Sequence, residues 1–161
     1  VYGGFGTSLR FYGVDFSIGF TYQLGGQVLD QGYRFYMNSP AGTSTGNNYH
    51  HDLLNSWTPE NSGSNIPRFA YNDSNQAAVS DRFLTSASYL NIQNITLGYT
   101  LPKRITRKFL VENLRIYLAC DNVWYWSKRQ GLDPRQSING ITNPYYYAPI
   151  RTFSGGVTVT F

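Results

Sequence analysis

Val14-Asp15-Phe16-Ser17-Ile18-Gly19-Phe20-Thr21-Tyr22-Gln23-Leu24 alternates apolar and polar side chains without a fault. A period of two is the signature of a strand with one greasy and one wet face, and the run has the length of a strand crossing a bilayer, about 9 to 11 residues. Upstream, Gly3 to Phe11 alternates more weakly, and Tyr12-Gly13 makes a tight turn between the two. Downstream, a strand is expected from Ser88 to Leu101, with Ile95, Leu97, Tyr99 and Leu101 on one face. Leu90 and Ile92 fall out of phase with that face, so a bulge is expected near Gln93. A fourth strand spans Asn113 to Trp126, with Leu114, Ile116, Leu118 and Cys120 on its apolar side, and a fifth spans Arg151 to Phe161.

Composition fits this pattern better than it fits an ordinary soluble domain. The chain has 161 residues, of which 14% are charged and 17% aromatic, against roughly 25% charged in a typical soluble domain. Mean hydropathy is −0.36, and the sequence holds no apolar run long enough for a spanning helix. Barrel strands average out to such a value because lipid-facing and lumen-facing residues alternate. The net charge of +4 is too small and dispersed to argue for nucleic acid. Lys103, Arg104, Arg107 and Lys108, the densest basic group, read as a solvated turn. One cysteine, Cys120, excludes an internal disulfide framework. Val1-Tyr2-Gly3-Gly4 has neither an initiator Met nor a signal peptide, so the chain is expected to be a piece of something longer.

The connections alternate in length: Tyr12-Gly13, then Gly25 to Thr85, then Pro102 to Glu112, then Ser127 to Ile150. Outer-membrane barrels carry short turns on one side and long loops on the other. The expected fold is therefore all-β, an antiparallel transmembrane β-barrel segment of about five strands with two long extracellular loops. Phe161 then lies at the periplasmic side. Tyr12, Tyr99, Phe109 and Phe161 would form one aromatic girdle and Tyr22, Tyr89, Trp124 and Trp126 the other. Asp15, Gln23, Arg115 and Asp121 would face the lumen. Five strands cannot close a membrane barrel, and open edges are not tolerated in lipid. The alternative is a soluble β-sandwich carbohydrate-binding module, which also uses short alternating strands and aromatic loops.

Chemical motifs are sparse, and neither a catalytic residue, a metal nor a cofactor is expected. His50-His51 with Asp52 invites a metal reading, but adjacent side chains on an extended chain diverge, so a solvated pair is expected. Ser56 and Ser86 have no nucleophile-elbow context. Asp121 and Asp133 could be paired carboxylates only if the fold set them across a cleft. Gly3-Gly4-Phe5-Gly6 and Gly25-Gly26 lack the Lys and helix of a phosphate loop. For ligand binding, the candidates are Tyr49, His50 and Trp57 in the first long loop, with Trp126, Tyr145, Tyr146 and Tyr147 around the second, because aromatic faces desolvate broad apolar patches on sugars and peptides alike. A short helix is expected around Asn48 to Asn55, with Leu53, Leu54 and Trp57 on one face.

Several stretches together resemble the C-terminal barrel region of the SusC-like (SusC/RagA family) TonB-dependent outer-membrane transporters. They are Val14-Asp15-Phe16-Ser17, Asp30-Gln31-Gly32-Tyr33, Trp57-Thr58-Pro59-Glu60-Asn61, Ile66-Pro67-Arg68, Ala87-Ser88-Tyr89-Leu90, Asn94 to Pro102, Leu114-Arg115-Ile116-Tyr117, Asp121-Asn122, Gly131-Leu132-Asp133-Pro134 and the final Phe161. Residues 1–161 would then be the C-terminal part of the barrel, without the plug and the TonB-contacting segment. The resemblance implies a 22-strand barrel in the outer membrane of a Gram-negative bacterium. It implies import of large nutrients, glycans or peptides, powered through TonB, with a SusD-like surface lipoprotein as lid. Partners would be that lipoprotein, the rest of the barrel and plug, the TonB system and outer-membrane lipid. The last strand resembles a barrel-assembly signal, with Phe153, Val157, Val159 and the terminal Phe161.

Overall fold

The computed structural model describes residues 1–39, 48–73, 75–129, 131–136, 139–143, 145 and 147–161. Five long strands form one antiparallel sheet: β1 (Tyr2–Phe11), β2 (Val14–Gln23), β5 (Tyr89–Thr100), β6 (Asn113–Ser127) and β7 (Thr152–Thr160), in the spatial order β1-β2-β5-β6-β7. Two three-residue strands, β3 (Gln27–Leu29) and β4 (Leu84–Ser86), pair separately. Among the described residues there are two short α-helices, α1 (Gln31–Tyr36) and α2 (Lys103–Thr106), and several 3₁₀ turns. Neither is long enough to cross a membrane. The chain divides into two compact units, a strand unit (1–26, 87–130 and 147–161) and a loop unit (27–86 and 131–146).

In the strand unit every neighbour in the sheet is a neighbour in sequence order once the loop unit is set aside, as in an up-and-down barrel wall. The β1–β2 turn is two residues, Tyr12 (φ 47°) and Gly13 (φ 84°), with Phe11 paired to Val14. Two successive positive φ angles make the type I′ turn whose twist matches the flanking strands. Gly13 meets that demand without strain, and an added Cβ there would lie 2.6 Å from the Thr100 carbonyl oxygen.

The register gathers the apolar residues on one face. Across the middle of the sheet run Leu9↔Phe16, Phe16↔Leu97, Leu97↔Leu118 and then Leu118↔Gly155. One row along, Phe11, Val14, Tyr99, Ile116 and Val157 form a second line. The bulge expected near Gln93 is present: Gly19 and Phe20 are paired with Asn94 and Ile92, leaving Gln93 out of the ladder. Its effect goes beyond the expectation, because the extra residue returns Leu90 and Ile92 to the apolar face, opposite Tyr22 and Phe20. On the other side β6 compensates with Asn122 and Val123, and Asn122 takes a left-handed φ of 51°. The same phase change sets Tyr89 opposite Gln23 and Ser127, which places it in the polar rows rather than in the expected aromatic girdle.

This apolar face has no core beneath it. Leu118 is 64% exposed, Phe153 76% and Val157 61%, in a chain where full burial of each such side chain is worth about 1.5–3 kcal/mol. A sandwich would cover these residues with a second sheet. The only other sheet among the described residues has two strands of three residues each. The outer edges of β1 and β7 are likewise unpaired among the described residues. An open sheet with one bare apolar face and two bare edges is what a barrel wall looks like when its neighbouring strands are removed.

The loop unit has the reverse organisation. Leu29, Met37 and Phe83 form a small buried core, with Tyr33, Leu53 and Ile66 packed against it. Asp30 caps α1 by accepting from the Tyr33 N–H at 2.9 Å, the arrangement that Asp supplies at helix starts. Thr142, distant in sequence, joins the same unit: its N–H donates to the Leu29 carbonyl at 3.0 Å, and its hydroxyl accepts from the Gln31 N–H at 3.0 Å. The expected short helix near Asn48 to Asn55 is a 3₁₀ turn over His51–Asn55. Leu53 packs on the core, but Leu54 points to solvent and does not share its face. A three-residue repeat with imperfect stacking leaves room for only one of the two.

Candidate functional site

The polar face of the sheet is built around an ion pair. Asp15 on β2 and Arg115 on β6 belong to strands separated by β5, and they reach each other across Gly98. Arg115 donates from Nε to Asp15 Oδ1 at 3.1 Å and from its second terminal nitrogen to Oδ2 at 2.5 Å, a bidentate fork that fixes both side chains in one plane. Gly98 leaves room for the pair: a Cβ would lie 2.5 Å from Asp15 Oδ2 and 2.6 Å from the guanidinium, so the pair would have to shift. The Arg115 guanidinium also stands 5.3 Å from the centre of the Tyr117 ring, within cation–π reach. Tyr117 in turn lies over Gly156, which again leaves no space for a Cβ. Farther along this face Asn91 donates to the Thr21 hydroxyl at 3.0 Å. Arg10, Tyr12, Asp15, Thr100 and Arg115 border a recess of about 390 Å³ beside the β1–β2 turn.

Asp15, Gln23, Arg115 and Asp121 therefore share the polar rows, as alternation requires. Cys120 pairs with Ile95 and Phe153 in the apolar rows. Phe153, Val157 and Val159 stand on the same apolar face of β7, and Phe161 is largely exposed just beyond it. Lys103, Arg104, Arg107 and Lys108 are exposed, on α2 and the 3₁₀ turn Arg107–Phe109 that follows. The solvated connection is thus helical, because Pro102 starts it and Leu110 in a left-handed conformation ends it.

The aromatic binding candidates separate on inspection. Trp126 stands on the apolar face of β6 opposite Leu90. Tyr49 packs edge-on against Phe69 at 5.5 Å, and Tyr145 against Phe35 at 6.5 Å. His50 meets the Tyr33 ring at 4.7 Å. Trp57 is held through its backbone N–H, which donates to the Ile66 carbonyl at 2.8 Å. Tyr147 is almost fully exposed, and Tyr146 lies outside the described residues. Within the loop unit Tyr49, His50 and Tyr145 each pack against a different ring.

One sequence reading needs correction. His50 and His51 do not diverge: both reach Asp52, with His50 Nδ1 3.4 Å from Oδ2 and His51 Nε2 2.9 Å from Oδ1. The backbone turns from extended at His50 into the 3₁₀ helix, which folds three consecutive side chains toward one another. Asp133 has a structural role: its buried carboxylate is taken up by Arg135 at 2.6 and 2.8 Å and by the Arg135 N–H at 3.0 Å.

A strand unit with one lipid-suited face, one hydrogen-bonded polar face and open edges defines a segment of a transmembrane β-barrel. Known proteins carry the assignment further. The chain is 26% identical over 168 residues to TonB-dependent receptor P3 of Formosa agariphila, an alignment that covers 98% of this chain and 16% of the relative. TonB-dependent receptor SusC of Bacteroides thetaiotaomicron is 36% identical over 84 residues, covering 52% of this chain and 8% of the relative. Among solved structures, that of the RagAB peptide transporter superposes with a TM-score of 0.82 at 23% identity, covering 99% of this chain and 17% of that one. The RagAB peptide importer in its open-open state gives 0.80 at 24% identity. No protein-family model matches. The chain spans about a sixth of the length of the F. agariphila relative, and over that span it is similar to the SusC-like TonB-dependent receptors.

Proposed function

We propose that this chain supplies five C-terminal strands and two outer loops to the barrel of an outer-membrane importer. The observation that carries this reading is the bare apolar face of β1-β2-β5-β6-β7 opposite a face bearing the Asp15–Arg115 pair. Residues 1–161 form barrel wall; the plug and the TonB-contacting segment belong to the rest of the polypeptide. Short connections suit the periplasmic side and long ones the outside, so the loop unit is extracellular and Phe161 periplasmic. Phe153, Val157, Val159 and Phe161 serve as the barrel-assembly signal.

The cargo is a large nutrient, a glycan or a peptide; the similar RagAB structure is a peptide transporter. A SusD-like lipoprotein covers the loop unit, where Tyr49, His50, Trp57, Tyr145, Tyr146 and Tyr147 offer aromatic contacts to lid or cargo. The protein performs no catalysis. The test is the intact mass of the native polypeptide carrying these residues, recovered from an outer-membrane fraction in detergent. Recovery there at several times 18.3 kDa, together with a co-purifying lipoprotein, supports the proposal. Recovery as a monodisperse species near that mass in buffer alone overturns it.

A further inference from the structure

His50, His51 and Asp52 cluster at the start of the 3₁₀ turn in the loop unit. One ligating atom from each of the three residues lies within 4.8 Å of the others. Two ligands about 2.1 Å from one ion lie at most about 4.2 Å apart. The His50–Asp52 and His51–Asp52 separations of 3.4 and 2.9 Å already meet that limit. The histidine atoms lie within 4.8 Å of each other, and His51, whose side chain is 79% exposed, is the one with space to move. His50 and Asp52 are each 32% exposed, so an ion can enter from solvent.

The cluster is also held in place. The His50 N–H donates to the Tyr36 carbonyl at 2.9 Å. The Tyr33 hydroxyl donates to Asp52 Oδ2 at 2.9 Å, while the Tyr33 ring packs on the buried Phe83 at 6.0 Å. A carboxylate oriented by a hydrogen bond from the core is the outer-shell support that metal ligands commonly have. His50 Nδ1 accepts the Asp52 N–H at 3.2 Å, a long hydrogen bond that an ion at this atom would displace. The nearest carboxylate oxygen, itself an acceptor, is 3.4 Å away.

We propose that His50, His51 and Asp52 form a binding site for a first-row divalent cation, with Tyr33 as the residue that positions the carboxylate. Two imidazoles and a carboxylate without a thiolate suit Zn²⁺, Ni²⁺ or Cu²⁺ rather than Ca²⁺ or Mg²⁺. Three protein ligands leave a coordination position open to water or to a donor group on a bound molecule.

The experiment uses the native full-length transporter in detergent, stripped with chelator and then titrated with Zn²⁺ by calorimetry and with Co²⁺ by its visible absorption. The expected result is a site whose affinity falls at least about tenfold in His51→Ala and in Asp52→Asn, and about tenfold in Tyr33→Phe. His51 is exposed, so His51→Ala keeps the test valid if the Asp52 variant misfolds. Zn²⁺ binding that is identical in wild type and His51→Ala, or absent in both, overturns the proposal.

Discussion

In the strand unit the large apolar side chains, Leu9, Leu118, Phe153 and Val157, stand on the outside, while the polar face is tied together by Asp15, Arg115 and Tyr117. In the loop unit Val28, Met37 and Phe83 are buried and polar groups such as Asp30 sit at helix ends. The same polypeptide thus follows two solvents. Where hydrocarbon is the outer medium, burying a leucine within the protein brings no gain over exposing it to lipid, and backbone hydrogen bonding alone must close the structure. Where water is the outer medium, even a small core is needed to hold a loop this long in one conformation.

That difference can be broken or sharpened by mutation. The largest effect is expected from Phe83→Ala, which empties the centre of the loop core and should cost about 3–5 kcal/mol. Hydrogen exchange on the detergent-solubilised protein should show lost protection in 27–86 and unchanged protection in the strands. Loss of protection in both would mean that the two units unfold as one.

Leu97→Arg, at the centre of the apolar rows, should cost about 2–4 kcal/mol in a bilayer, measured by denaturant unfolding from lipid vesicles. Thr96→Arg, on the opposite face of the same strand, should cost far less. Equal tolerance of the two substitutions would remove the reason for assigning this face to lipid.

Asp30→Ala removes the cap of α1 and should destabilise the loop unit by about 1 kcal/mol, visible as faster exchange at the Tyr33 and Arg34 amides. The smallest change is expected from Tyr12→Asn in the β1–β2 turn. Asn tolerates the left-handed conformation that Tyr12 adopts, so stability should rise by less than about 1 kcal/mol. A fall would show that the Tyr12 ring contributes more at the membrane interface than its backbone strain costs.

The legibility of the sequence followed the same division. All five strands could be placed to within two residues, because each carries its own period-two pattern and needs no distant information. The bulge at Gln93 announced itself as a phase error, although its consequence for Tyr89 emerged only from the register with β2 and β6. The loop unit was illegible as a fold. Its helix α1 has six residues, its strands three each, and its buried residues follow no period.

The His50-His51-Asp52 cluster was visible as a motif but was read wrongly, because the direction of three adjacent side chains depends on a backbone turn that residue types alone do not dictate.

By itself, then, the alternation of residues from Val14 to Leu24 and along four further runs determined that this protein is a two-faced antiparallel sheet with short and long connections in turn. The reason is local: successive side chains on a strand must point to opposite sides. Only the tertiary structure decided which groups meet over long separations. It brought Arg115 to Asp15 across a glycine, joined Thr142 to Leu29 in one compact unit, and folded two histidines onto one carboxylate. Such contacts depend on pairing register and chain reversal, which no single stretch of sequence contains.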